Sequence, residues 1–191
     1  TRALPAHPLE IAYGVPERER YSRVAKSTGG LFDITECVLD TQTGLTWEGK
    51  TASGLRSYQQ AYTHFDSTES NQNFNGNEYV HPTQVQILAP SNSIGYVNYV
   101  NSTGLCGHAD WRLPTDGELL TLIDNTVPYP GPAINATWFP NTTHGIYWSS
   151  SPFTSGNFFY EHGGNGVLFS LPAGVSGTYR FYPSSVRLVR P

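Results

Sequence analysis

The chain has no methionine and only two lysines, Lys26 and Lys50. Charged residues make up 14% of its 191 positions, and the formal net charge is −4. From Ser57 to Trp111 there is no lysine or arginine. A nucleic-acid binder needs a clustered basic footprint, so this composition excludes that class. No stretch approaches the roughly 18 to 20 consecutive apolar residues that span a bilayer, so no membrane span is expected. No pattern of basic, apolar and small residues opens the sequence as a signal peptide would. With no methionine to begin on, the chain reads as one from which a preceding segment was removed, a cleaved export signal being the economical reading.

Cysteine is equally scarce. Cys37 and Cys106 stand alone, 69 positions apart, with no second cysteine or histidine at zinc-finger spacing beside either. They read as a disulfide, which places the chain in an oxidising compartment. Two buried thiols are the alternative. The catalytic signatures are missing too: there is no GxSxG, no HExxH and no phosphate loop. No cofactor, no metal site and no enzymatic activity are expected.

What is present is a chain rich in Gly, Asn, Ser, Thr and Tyr, long enough for one domain with a core. Residues 1–30, with "PERERYSR" and the hinge-like "STGG", read as an N-terminal arm or linker without an amphipathic period long enough to bury a face. Residues 31–191 form the domain. "CVLDTQTGLTW" is a hairpin candidate. Leu55, Tyr58, Tyr62 and Phe65 recur at helical spacing, and Ile94, Val97 and Val100 suggest a second short helix ending near "NSTG". Between them, "DSTESNQNFNGNEYVHPTQ" reads as a surface loop.

The segment "CGHADWRLPTDGELLTLID" gathers Cys106, His108, Asp110, Trp111, Arg112, Asp116 and Glu118. Thr115 and Glu118 stand at capping-box spacing, which makes Glu118 structural and starts a third helix. Asp110 and Arg112, on one side of an extended segment, are expected to pair locally, and the lone His108 to be a structural hydrogen-bonding residue. The segment reads as scaffold.

Beyond Asn125 the pattern turns to short aromatic and β-branched runs: "GIYWSSS", "NFFYEH", "GVLFSL", "TYRFY" and "SVRLVR". Four or five antiparallel strands beside two or three short helices make an α+β domain. In "NFFYEH", alternation puts Phe158, Tyr160 and His162 on one face. The following "GGNG" reads as a turn that lifts Asn165 to a rim, and Tyr179, Arg180 and Tyr182 come from a neighbouring strand. These seven residues are the candidate ligand-binding set: aromatic faces to stack, Asn and His to direct hydrogen bonds, Arg to grip a carboxylate or sulfate.

The blocks "CVLDTQTGLTWEGK", "GLCGHADWRLPTDGELLTLID", "FPNT", "YWSSSP" and "VRLVR", in that order, resemble the bacterial domain family typified by the C-terminal domain of the Lcl collagen-like adhesin. The resemblance spans about Asp33 to Arg190. It implies a C-type-lectin-like fold with two helices and short sheets, export to the cell surface, and binding of a glycan or protein ligand on the region from Pro152 to Ser185. The calcium-dependent EPN and WND sugar motifs are absent, as is the C-terminal cysteine pair of formylglycine-generating enzymes, so neither activity carries over. A second reading remains: a structural subunit that assembles into a homo-oligomer, a trimer or an extracellular filament, through its N-terminal arm.

Overall fold

A computed structural model describes residues 20–68, 71–153 and 162–191. Nine short strands and three short helices follow one another along these residues. The strands are β1 (Tyr21–Arg23), β2 (Cys37–Asp40), β3 (Thr46–Glu48), β4 (Asn73–Phe74), β5 (Tyr79–Val80), β6 (Ile146–Trp148), β7 (Gly163–Leu168), β8 (Gly174–Tyr179) and β9 (Val189–Arg190). The helices are α1 (Gln84–Leu88), α2 (Ser93–Thr103) and α3 (Asp116–Thr121). All strand pairs are antiparallel. They form a four-stranded sheet in the order β1-β2-β3-β9, a two-stranded β4-β5 hairpin and a three-stranded sheet β6-β7-β8. The architecture is α+β, as expected.

The expected Cys37–Trp47 hairpin is β2 and β3, with Val38 opposite Trp47, both fully buried. The last strand crosses back to pair with β3, so the two ends of the domain close one sheet. Helix α2 ends where predicted, at Gly104, whose φ of 63° is the left-handed conformation glycine adopts without a Cβ penalty. Cys106 follows directly and is bonded to Cys37. The disulfide thereby ties the hairpin to the end of α2. Helix α3 carries the predicted capping box, with the Thr115 hydroxyl accepting from the Glu118 N–H and the Glu118 carboxylate accepting from the Thr115 N–H.

Two buried clusters hold the layers together. One gathers Tyr21, Val38, Trp47, Leu119, Tyr147 and Phe169, and the other the disulfide, Tyr62, Tyr96, Trp111 and Trp148. The indole N–H of Trp148 donates to the Tyr62 carbonyl at 2.6 Å and that of Trp111 to the Leu105 carbonyl at 3.0 Å.

Four expectations are corrected. Residues 55–65 form no helix: Tyr62 exchanges backbone hydrogen bonds with Ser184 at 2.8 and 2.9 Å, and its ring is buried as a strand residue's would be. The long polar loop contains the β4-β5 hairpin and the start of α1, whose Thr83 and Gln86 form a second capping box. The arm boundary at residue 30 moves, because β1 pairs with β2 and Tyr21 is buried on Phe139. Residues 1–19 of the arm lie outside the described residues. Lastly, Asp110 and Arg112 do not pair with each other; Asp110 binds Arg190 and Arg112 binds Glu118. The antiparallel bridge between Arg112 and Val189 brings Arg190 to Asp110, which no local spacing reveals, whereas Glu118 lies six residues beyond Arg112 in the first turn of α3.

Candidate functional site

An aromatic surface assembles from three separate parts of the chain. The β4-β5 hairpin turns through Asn75 and Gly76, and the Asn75 carboxamide oxygen accepts from the N–H groups of Asn77 and Glu78, both at 3.0 Å. This turn sets Phe74 opposite Tyr79, with ring centroids 5.2 Å apart. Tyr79 stacks almost parallel on His162 at 3.7 Å. From the end of β8, a turn closed by the Tyr182 N–H to the Tyr179 carbonyl brings in Tyr179, Phe181 and Tyr182. Phe181 lies 5.9 Å from both Phe74 and Tyr79, and 4.5 Å from Tyr182. Phe74 and Tyr182 remain 41% and 53% exposed. Soluble domains normally hide rings of this size, so a group of them at the surface points to recognition.

His162 supports this surface from below. Its ring is buried and its Nδ1 meets the carbonyl oxygen of Asn71. A carbonyl can only accept, so Nδ1 carries a proton and donates it to Asn71. The phenol of Tyr79 is raised above its ordinary range by burial and by its hydrogen bond and proximity to Tyr179.

Beside the aromatic surface opens a cleft of about 380 Å³, lined in part by His64, Asp66, Ser150, Phe153 and Arg180. Arg180 is its brace. Its Nε donates to the Gly163 carbonyl at 2.9 Å, and its Nη1 donates to the His64 carbonyl at 2.9 Å and to the Asp66 carboxylate at 2.8 Å. Burial alone would raise Asp66, but Thr68, Arg180 and Gln72 outweigh it and hold the carboxyl at about 2. His64 stacks on Trp148 at 4.8 Å and shares a hydrogen bond with Ser93 Oγ. Burial and then the Arg180 charge push it down to about 3, so it is neutral at physiological pH.

The profile of the Lcl C-terminal domain family matches residues 36–190. The chain belongs to this family. No curated protein and no solved structure matches it. The family match begins one residue before β2, so β1 lies ahead of the matched residues.

Of the seven expected ligand residues, the Lcl-type domain brings three together, His162, Tyr179 and Tyr182. Phe158 and Tyr160 lie outside the described residues. Asn165 and Arg180 take inward roles. "GGNG" is no turn but part of β7, and Asn165 is buried, donating to the Asp116 carboxylate and the Pro152 carbonyl, each at 3.0 Å. Its glycines answer a packing demand: a Cβ on Gly164 would lie 3.0 Å from the Trp148 ring, and one on Gly166 would strike the Tyr147 carbonyl. Arg180 spends Nε and Nη1 on its own chain, so it stiffens the cleft instead of offering both to an anion. Sequence reasoning missed Phe74, Tyr79 and Phe181. The signal was "FNGNEY", an Asn-Gly turn between aromatic residues, which is a hairpin pattern.

A second site also escaped notice. Glu48 is fully buried, with Lys50 Nζ at 3.2 Å and Arg56 Nε at 3.4 Å from Oε1. The Tyr96 hydroxyl donates to Oε1 and the Leu188 N–H to Oε2. Burial lowers Lys50 to about 8, the Glu48 charge opposing that fall. This network lies in the core and joins β3, α2 and Leu188, the residue just before β9. Among the described residues no group of three His, Cys, Asp or Glu side chains could hold a metal ion, and no helix of the described residues is long and apolar enough to cross a membrane.

Proposed function

We propose that this Lcl-type domain is an exported, non-enzymatic recognition module of adhesin type, with a lectin-like fold, that binds a glycan or protein ligand through the face formed by Phe74, Tyr79, Tyr179, Phe181 and Tyr182. The observation that carries the reading is the convergence of these rings at the surface, two of them largely exposed. Rigid aromatic faces supply contact area at low entropic cost and stack on sugar rings or anchor protein partners. The buried His162 and the Arg180 brace fix the face from behind, so it is presented already formed. Family membership and the Cys37–Cys106 bridge support a role outside the cytosol.

The test is binding by variants that trim only the exposed rings. Phe74→Ala and Tyr182→Ala remove surface atoms and leave His162 and Arg180 in place, so circular dichroism should match the parent. Screened against a glycan array and a displayed peptide library, the parent should bind at least one probe, and each variant should bind it at least tenfold more weakly. Full retention of binding by both variants would refute the proposed face.

A further inference from the structure

The three-stranded sheet ends at β8, and among the described residues no strand lies beyond it. Residues directly opposed in an antiparallel pair send their side chains to the same face. Val167 and Val175 are such a pair, yet Val167 is fully buried and Val175 is 53% exposed. Among the described residues, the apolar layer beneath this sheet therefore runs to the edge with no strand beyond Val175 to cover it. On the same face of β8 follow Gly177, against which the Phe153 ring packs, and Tyr179. The opposite face carries Ser176 and Thr178. An open edge with one apolar face is a site for strand addition.

The sequence holds a segment of matching pattern. Residues 1–19 have no amphipathic helical period, but Leu9, Ile11, Tyr13 and Val15 alternate strictly with Glu10, Ala12 and Gly14. This two-residue period is that of a strand with one apolar face. Pro8 and Pro16 bound it, and proline cannot donate to a ladder, so pairing would be confined to the seven residues between them. That length fits the six residues of β8. The apolar set would cover Val175, and Glu10 would fall on the side of Ser176 and Thr178. The chain that follows is anchored elsewhere. Arg20 is held by Asp40, and β1 closes the outer edge of the other sheet, not the one that ends at β8.

We propose that Leu9–Val15 of one copy adds as an extra strand to the outer edge of β8 in a second copy of this chain. Each copy then donates one strand and receives one. Such a contact is heterologous and propagates into a ring or an open fibre. The assembly meets the aromatic face only at Tyr179, the last residue of β8, and neither Ile11 nor Val175 belongs to that face, so the contact stands whether or not the face binds a ligand.

Two substitutions in the full chain separate the halves of the contact. Ile11→Asp places a charge on the apolar face of the donor and leaves the acceptor intact. Val175→Lys blocks the acceptor edge at an exposed position, where the fold tolerates it, and leaves the donor intact. Analytical ultracentrifugation and negative-stain microscopy should find rings or fibres for the parent and monomers for each variant, with circular dichroism unchanged. An equal mixture of the two variants should form dimers and nothing larger, since one can only receive and the other only donate. A monomeric parent, including one whose segment folds back onto its own β8, would overturn the proposal. So would variants that assemble like the parent, or a mixture that stays monomeric.

Discussion

Removing the charge of Glu48 while keeping its shape is the sharpest probe of the core. In Glu48→Gln, Lys50 stays 3% exposed with its counter-ion gone, and only one side of the new amide can accept. Either the Tyr96 hydroxyl and the two cations or the Leu188 N–H must then face a donor. Breaking one partner of a buried ion pair costs about 3–5 kcal/mol. Arg56 contributes little to that figure, because its Nη2 is held by the carbonyls of Thr35, Glu36 and Gly49. The penalty is therefore mostly that of a stranded ammonium. Two consequences follow. Adding Lys50→Met to Glu48→Gln removes the stranded charge and should restore stability to within about 1–2 kcal/mol of the parent, because replacing both members of a buried pair by apolar atoms is often neutral. The deficit should also shrink with pH. Lys50 titrates at about 8 when folded against roughly 10.4 unfolded, so between these values the unfolded chain holds more protons and this group adds stability as pH rises. Without Glu48 its folded pKa falls further, so parent and variant differ most below pH 8, and above it both hold a neutral amine. Urea unfolding at pH 7 and pH 9 reads both effects. A Glu48→Gln deficit under about 1 kcal/mol at pH 7, or one equal at both pH values, would refute this account of the network.

Two further predictions rest on the scaffold. The Cys37–Cys106 bond closes a separation of 69 residues, so its reduction should cost roughly 4 kcal/mol in the chain-entropy view; thiol titration of the unfolded, unreduced chain should find close to none, and two reactive thiols would contradict the bridge. His64 titrates near 3 in the fold and at roughly 6.5 when unfolded. The unfolded state thus takes up the proton first, and stability should fall as pH drops from about 6.5 towards 3. Melting curves of His64→Gln should decline less steeply over that window than those of the parent, and parallel curves would mean that His64 is not held neutral by its surroundings.

Local signals in the sequence carried much of this fold. Thr115 with Glu118, the glycine after "NST" and the turn in "DTQTG" each act within a few residues, and each produced the element it announced. Apart from the Cys37–Cys106 bridge, what failed was decided across the chain. The three- and four-residue spacing of Leu55, Tyr58, Tyr62 and Phe65 suits a helix, but the backbone of Tyr62 finds Ser184, and tertiary pairing wins over pattern. Helix α1 has five residues, too few for a period to register. "GGNG" looks like a turn in isolation; only the close approach of Trp148 and Tyr147 explains its glycines as strand residues. The same holds for the candidate site. His162, Tyr179 and Tyr182 were read from strand alternation, whereas Phe74 and Tyr79 join them through a hairpin concealed in a polar stretch, and Arg180 is claimed by a carboxylate 114 residues away. Glu48, in "TWEGK", has Lys50 two residues away but carries no local mark of burial, because Tyr96 from α2 and Leu188 just before β9 reach it from far along the chain.

The most direct measurement of the recognition reading is the affinity of the parent, Phe74→Ala and Tyr182→Ala for the same immobilised glycan or peptide, taken by surface plasmon resonance beside matched circular dichroism. The account predicts a saturable response for the parent and at least a tenfold rise in Kd for each variant with the fold unchanged. Equal affinities for all three would contradict it.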